Sequence, residues 1–408
     1  MPKNQRFRIF RSFADCNPSP SPRLVLKIAE TQEELEACFR LLHDAYVDSG
    51  FMKPHPSGMR VTIYHALPAT TTLCAKYDDQ VVGTLSLIRE SVLGVPLQKI
   101  FDLSAIKEKK GQIVEVSALA VHRNFRRTGG SVLFPLMKFM YEYCTTFFDT
   151  RHLVIAVNPG HIEMYESLLF FQRLSANVVE NYDFVNGAPA VGATLDLKEA
   201  PEIFRRHYAS KPPHRNLYAY FTQVRLPNIE FPNRRFFVTN DPVLTPDLVD
   251  YFFNVRTDTF QNLNLREKIL LHAIYDLPEY KALLPELPSG ANSVPIRRHE
   301  RFSVRCPARL IARRMRDDQG ISVEVIEVSR HGFQARANKP LPLNVWFETI
   351  VQFGRSDVSR VRSLALRGSD GLYGFRVENL DLLWRKFVSA LYHSKTYTDL
   401  ENPTRFLI

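Results

Sequence analysis

The stretch from Ile113 to Tyr165, IVEVSALAVHRNFRRTGGSVLFPLMKFMYEYCTTFFDTRHLVIAVNPGHIEMY, constrains the fold more than any other part of the chain. It reads as a strand, a basic glycine turn, an amphipathic helix, a second strand and the start of a short helix. Side chains alternate across a strand, so Glu115 and Ser117 share a face with Ile113, Leu119 and Val121, while Val116, Ala118 and Ala120 take the other. Both faces are apolar enough for a central strand covered on both sides. A carboxylate in such a strand is costly to bury without a partner or a task, which makes Glu115 the first residue to explain.

Around this stretch the elements alternate. RLVLKIAE reads as a strand leading through Thr31, an N-cap with Glu34 three residues on, into the helix QEELEACFRLLHDAYVDS. TTLCAKYDDQVVGTLSLI reads as two strands joined at Asp78 and Asp79. Pro135 requires the helix after Gly130 to begin within about a turn of it. HLVIAV and AVGATLDL are further strands and HIEMYESLLFF a short helix, so an α/β domain with a mixed sheet is expected over 24–225. Residues 1–23, basic and then rich in Ser and Pro, read as a flexible leader. Residues 226–293 read as a helical extension and connector containing LREKILLHAIYDL. From Ile296 the text changes to six short β-type runs, beginning FSVRCPARLIARR and ending GLYGFRVENL, followed by the helix DLLWRKFVSALY. That pattern predicts a second domain, an all-β barrel with a terminal helix over 294–395, and leaves a tail over 396–408. A chain of 408 residues exceeds what one hydrophobic core serves, in keeping with two domains.

The excess of 53 basic over 43 acidic residues, a formal charge of +10, favours anionic partners such as phosphates or an acidic protein. No DNA or RNA partner is expected. Five scattered cysteines without CxxC spacing argue against a disulfide framework and against a metal site, and point to a reducing cytoplasm. No apolar run approaches the roughly 20 residues of a membrane span, and the opening segment lacks a signal peptide's apolar core, so a membrane role would be peripheral, at the inner face.

The segments VVGTLSLI, GVPLQKIFDL, IVEVSALAV, LVIAVNPGHIEMYESLLFF and GAPAVGATLDL, in this order and spacing, resemble the FeeM-type N-acyl amino acid synthases, relatives of acyl-homoserine lactone synthases and of GNAT acyltransferases. The resemblance implies a GNAT-like fold that takes a fatty acyl chain from the phosphopantetheine of acyl carrier protein and places it on the α-amine of an amino acid. An ammonium cannot attack a thioester, and Glu115 is the candidate base, its pKa raised by burial. The tetrahedral oxyanion needs a backbone N–H, expected near Ala120 or Val121. Tyr165, four residues after His161 on one helix face, stands where GNAT relatives often keep a tyrosine that protonates the leaving thiolate, and His161 is its candidate neighbour in catalysis. The competing readings are an arginine partner for Glu115 and ordinary core packing for Tyr165 and His161. In RNFRRTGGS, Arg126 and Gly129 fit the pyrophosphate signature of coenzyme A-dependent relatives, but Ser131 replaces its last glycine or alanine. This departure favours a protein-borne donor, with Arg123, Arg126, Arg127 and Lys138, around Gly129 and Gly130, as a landing surface for the acidic carrier.

RRHERF followed by EVSRHG resembles the PilZ domain, the cyclic di-GMP receptor family, over about 100 residues. Arg297, Arg298 and Arg301 supply guanidinium forks suited to phosphate and to a guanine edge. Glu327, where the family places Asp or Asn, would accept from guanine N–H groups, and Ser329 and Gly332 allow close backbone approach. The sequence is therefore read as an acyl-carrier-protein-dependent N-acyl amino acid synthase regulated by cyclic di-GMP. The alternatives are a coenzyme A-dependent GNAT acetyltransferase and a catalytically inactive cyclic di-GMP-responsive adaptor.

Overall fold

A computed structural model describes the chain except residues 13, 110, 127, 186, 242, 289–301, 313–319 and 394–408. The chain divides into two compact units, one comprising 1–65 and 69–231, the other 66–68 and the residues from Pro232 onward.

The first unit runs α1 (Lys3–Ser12), β1 (Leu24–Ile28), α2 (Gln32–Asp48), β2 (Thr70–Tyr77), β3 (Gln80–Arg89), α3 (Ser104–Glu108), β4 (Gln112–Val121), α4 (Leu133–Thr146), β5 (Thr150–Val157), α5 (Ile162–Leu168), β6 (Gln172–Arg173), β7 (Val179–Tyr182), β8 (Ala188–Asp196), α6 (Ala200–Tyr208) and α7 (Leu217–Thr222). The local signals explain several boundaries. Thr31 and Glu34 form a reciprocal capping box at the start of α2. Asp78 and Asp79 both take positive φ, 48° and 63°, as the tight turn between β2 and β3 demands. Pro135 falls in the first turn of α4, where no intrahelical N–H is lost.

The strands form one mixed sheet in the order β1-β2-β3-β4-β5-β8-β6, with β7 also on β8. Every pair is antiparallel except β4 with β5, and that parallel ladder runs only from Gln112↔Thr150 to Glu115↔Val154. Ala120 packs with Leu41 and Leu42 of α2, while Gly83, beside Thr84 on the neighbouring strand, faces Val132 and Leu136 of α4. Helices α2 and α4 thus cover opposite faces. This is the expected GNAT-like fold, with the two parallel strands separating where the covalent connection between them leaves the sheet.

The residues read as a flexible leader are ordered instead. Helix α1 lies along α5, with Lys3 paired to Glu166 at 3.0 Å and Arg6 to Glu163 at 2.6 Å, and Ala14 and Cys16 are buried. The acidic partners lie some 160 positions away in sequence, so local composition could not announce the contact.

The second unit begins with α8 (Pro246–Asp250) and α9 (Leu265–Ile274), followed by β9 (Phe302–Ala312), β10 (Ile321–Ser329), β11 (Gly332–Ala337), β12 (Trp346–Gln352), β13 (Val358–Ser369), β14 (Leu372–Glu378) and α10 (Leu382–His393). Its six strands close into a barrel in the order β10-β11-β14-β13-β12-β9. Residues expected to form a connector belong to this unit. Phe236 and Val238 bridge Gly354 and Val304, and Phe236 packs on Phe387 of α10 with ring centroids 4.9 Å apart. The expected boundary at 225 falls at Phe231 instead.

Gly332 opens β11 against β14, where a Cβ would stand 2.4 Å from the Phe375 carbonyl oxygen. Backbone cannot yield as a side chain can, so Gly332→Ala should destabilise the second unit by about 1–3 kcal/mol. Urea unfolding followed through Trp346 and Trp384, the chain's two tryptophans and both in this unit, checks it; an unchanged midpoint would contradict the packing.

Candidate active site

Strand β4 does not keep its alternation. Ser117 pairs Ser86 and Ala120 pairs Thr84, so Ala118 and Leu119 together face Leu85 alone, a bulge that Ala118 makes by taking φ 54°. An alanine in the left-handed region is strained, and such positions persist only where their surroundings impose them. The bulge moves the backbone out of phase. Glu90 N–H donates to Ile113 O before it and His122 N–H donates to Val82 O after it. By the parity of an antiparallel ladder, Leu119 and Val121 therefore turn their N–H groups away from β3, toward the edge that β5 has left. Of the two residues expected to serve an oxyanion, Ala120 is turned into the β3 ladder and only Val121 faces the opening; Leu119, closer to Glu115, faces it too.

The separation of β4 and β5 encloses a cavity of about 210 Å³. Glu115, Leu119, His161 and Tyr165 all line it, so three residues singled out from sequence for chemistry meet in one place. Glu115 is 2% exposed, and its Oε2 accepts the Leu97 N–H at 2.8 Å. Among the described residues no cation pairs with it, which removes the competing arginine partner. Burial pushes its carboxyl up to about 8, against the smaller lowering effect of the Leu97 N–H. Tyr165 is pushed up to about 12 by burial and by nearby Tyr46, so its hydroxyl keeps its proton near neutrality. His161 is the N-cap residue of α5, but its side chain makes no capping bond and is exposed at the cavity.

Tyr46, Tyr182 and Phe184 complete the polar and aromatic wall, and Arg60 stands against two of them: its guanidinium lies 4.7 Å from the Tyr46 ring centroid and 5.2 Å from that of Phe184. Arg60, Tyr46 and Tyr182 were not singled out from sequence, since none of them belongs to a motif that carries chemistry. On the other side Met137, Met140, Leu169 and Phe171 are shared with a wholly apolar slot that continues to Leu195 and Phe204. The slot encloses only about 30 Å³, and the unbranched methionines form the wall that would give way to a longer occupant.

The basic turn lies apart from this cavity. Arg123 and Arg126 are exposed, and Arg126 Nε donates to Val121 O at 2.8 Å while its Nη1 stands 3.7 Å from Asp48. Arg127 lies outside the described residues. Gly129 and Gly130 take φ 66° and 83° and, with Thr128 and Ser131, line a separate pocket into which Asp15 projects, its Oδ2 within 3.3 Å of where a Cβ on Gly129 would stand. Lys138 is not part of a landing surface. It is 2% exposed, pairs with Glu142 at 2.6 Å and donates to Phe221 O at 2.8 Å, because position 138 falls on the inner face of α4 and its acidic neighbour one turn on draws the amine inward.

In the barrel, Arg297, Arg298 and Arg301 lie outside the described residues. Glu327 is half-buried, opposite Ser303 and Gln334 at a bulge in β10. Ser329 and Gly332 pair across the hairpin, and Ser329 Oγ donates to Gly332 O at 3.1 Å.

Residues 37–196 match the family model described as N-acyl amino acid synthase FeeM. Among solved structures, FeeM from uncultured soil microbes is 24% identical, over 45% of this chain and 95% of its own, with a TM-score of 0.39. The coenzyme A-dependent acyl-homoserine lactone synthase BjaI is 18% identical over 51% and 92%, TM-score 0.37, and the acyl-homoserine lactone synthase LasI 17% over 43% and 90%, TM-score 0.33. No curated protein matches the chain. The family match supports acyltransferase chemistry for the first unit and says nothing of the second. Among the described residues no cluster of three or more His, Cys, Asp and Glu could hold a metal ion, and no helix is long and apolar enough to cross a membrane.

The raised carboxyl carries a consequence for stability. Between the ordinary carboxylate range and about pH 8 the fold holds a proton on Glu115 that the unfolded chain releases, so stability falls as pH rises through this window and levels off above it. Glu115→Gln removes that slope. The variant should melt higher than wild type at about pH 9, by a few kcal/mol of stability, and close to wild type at about pH 5; parallel melting curves at both would contradict a neutral buried Glu115.

Proposed function

We propose that the first unit transfers a fatty acyl group from acyl carrier protein to the α-amine of an amino acid. The observation that carries this reading is Glu115, buried, unpaired by any described cation and with its carboxyl raised to about 8, at the opening where Leu119 and Val121 present free-facing N–H groups. The ionised fraction of Glu115, which grows as pH approaches about 8, takes the proton from the acceptor's ammonium. The amine nitrogen then attacks the thioester carbonyl, and the Leu119 and Val121 N–H groups stabilise the oxyanion. As the intermediate collapses the C–S bond breaks, Tyr165 passes its proton to the departing sulfur, and the surplus proton on nitrogen restores the phenol. His161, exposed at the mouth, is the route by which Glu115 returns its proton to water. The apolar slot beyond Met137 and Met140 takes the fatty chain.

The donor assignment rests on Asp15. A carboxylate set against the Gly129 turn repels the pyrophosphate of coenzyme A, whereas exposed Arg123 and Arg126 suit an acidic carrier protein. The five cysteines, all free and buried, are in keeping with a reducing cytoplasm. The barrel acts as a PilZ domain, with cyclic di-GMP held by Arg297, Arg298 and Arg301 beside Glu327, Ser329 and Gly332, and regulates the synthase through unequal affinity for its states.

Incubation of the full chain with acyl carrier protein or coenzyme A thioesters and mixed amino acids, with products weighed by mass spectrometry, tests the first part. N-fatty-acyl amino acids should form from the carrier donor, and Glu115→Gln should lower the rate on the order of 10²–10⁴-fold. Product from coenzyme A thioesters alone would reverse the donor assignment, and no product from either would leave the adaptor reading. For the second part, acylation is timed with and without cyclic di-GMP in wild type and Arg301→Ala. The dinucleotide should change the rate of wild type only, and four identical rates would sink the regulatory reading.

A further inference from the structure

Several cations on the site's helices and strands are paired with a carboxylate. Lys138 pairs Glu142, Arg151 pairs Asp196 and Arg173 pairs Glu166. Arg60 is half-buried, and among the described residues none of its contacts is a carboxylate. Its Nη2 donates to the Phe184 carbonyl, and its guanidinium lies over the faces of Tyr46 and Phe184. Those contacts orient the group and use few of its five N–H donors, and they leave its charge unmatched.

A second group points the same way. Tyr182 is 2% exposed, lines the cavity, and its buried hydroxyl has no hydrogen-bond partner among the described residues. Leaving such a hydroxyl unsatisfied is destabilising, and a ligand oxygen would recover the loss. Tyr182 and Tyr46 line the cavity and lie within electrostatic range of both Glu115 and Arg60, while Arg60 stands against the Tyr46 and Phe184 rings without pairing with the acid.

We infer that the Arg60 guanidinium and the Tyr182 hydroxyl form the carboxylate-binding end of the acceptor site, restricting acceptors to amines that carry a carboxylate on the adjacent carbon. The inference rests on the reading of Glu115 as the base for an acyl acceptor. An α-amino acid places its ammonium and its carboxylate one carbon apart, which suits a cavity that holds a proton acceptor and a spare O–H donor, with an unmatched cation stacked on two of its lining rings. A simple alkylamine would leave Arg60 and Tyr182 unsatisfied, and the site would reject it on that account.

The test is binding, independent of turnover. An equimolar set of N-dodecanoyl derivatives of the twenty amino acids, and the same set as methyl esters, is equilibrated with the full chain, and retained compounds are weighed. Wild type should retain acids over their esters by about tenfold or more, the worth of charge-assisted hydrogen bonds to a carboxylate. Arg60→Gln should bind acids and esters alike, Arg60→Lys should keep part of the preference, and Tyr182→Phe should reduce it. Continued retention of esters by Arg60→Gln shows that the cavity is intact. An Arg60→Gln variant that keeps the wild-type preference, one that loses acids and esters together, or a wild type that retains neither overturns the assignment. A preference lost in Arg60→Gln, in a protein that acylates nothing, leaves the carboxylate site standing and sinks the synthase reading.

Discussion

The first unit depends on one unmatched burial: the Glu115 carboxyl, 2% exposed, held by a single hydrogen bond from the Leu97 N–H and paired with no described cation. A carboxylate in such surroundings pays the desolvation cost of its charge or keeps its proton, and the raised pKa of about 8 says that it keeps the proton through neutrality. The fold accepts this at a place where it also accepts a left-handed alanine three residues on. Two local penalties so close together, in the one strand pair that separates, mark where structure has been spent on something besides stability.

The separation itself follows from connectivity. Strands β4 and β5 are parallel and joined through α4, so their ladder starts together at Gln112 and Thr150 but nothing requires it to continue. The bulge at Ala118 turns β4 aside, β5 stays with β8, and the gap fills with side chains from α2, α4 and α5. One wall is then aromatic, with Tyr46, Tyr182 and Phe184 and with Arg60 stacked on two of these rings, and the other apolar, with Met137, Met140 and Phe171. A zwitterion and a fatty chain make opposite demands on a pocket, and under the proposed reaction the two walls would divide along that line.

What sequence could reveal was set by the range of the interactions involved. Local devices were legible: the Thr31–Glu34 capping box, the Asp78–Asp79 turn, Pro135 in the first turn of α4, and the six β-type runs that close into the barrel. The burial of Glu115 was legible because a lone acid in an apolar strand is anomalous in any context, and helical spacing alone placed His161 and Tyr165 together. Long-range pairings were not legible. Helix α1 is held by Glu163 and Glu166, and nothing in a basic segment names its partners. The bulge left no trace because alanine has no special liking for positive φ, so strict alternation put Leu119 and Val121 in the wrong phase. Lys138 looked like surface because lysine usually is, although Glu142 four residues later was a readable hint that the amine had company. Arg60 lies in a loop with no pattern, and only its neighbours give it meaning.

Glu115 is a neutral buried acid that ionises only in mildly alkaline solution. Difference infrared spectra of wild type minus Glu115→Gln across a pH series observe that proton directly. A carboxylic-acid carbonyl band should be present at about pH 6 and give way to carboxylate bands with a midpoint near pH 8. A wild-type spectrum in which this group is already a carboxylate at about pH 6 would contradict it.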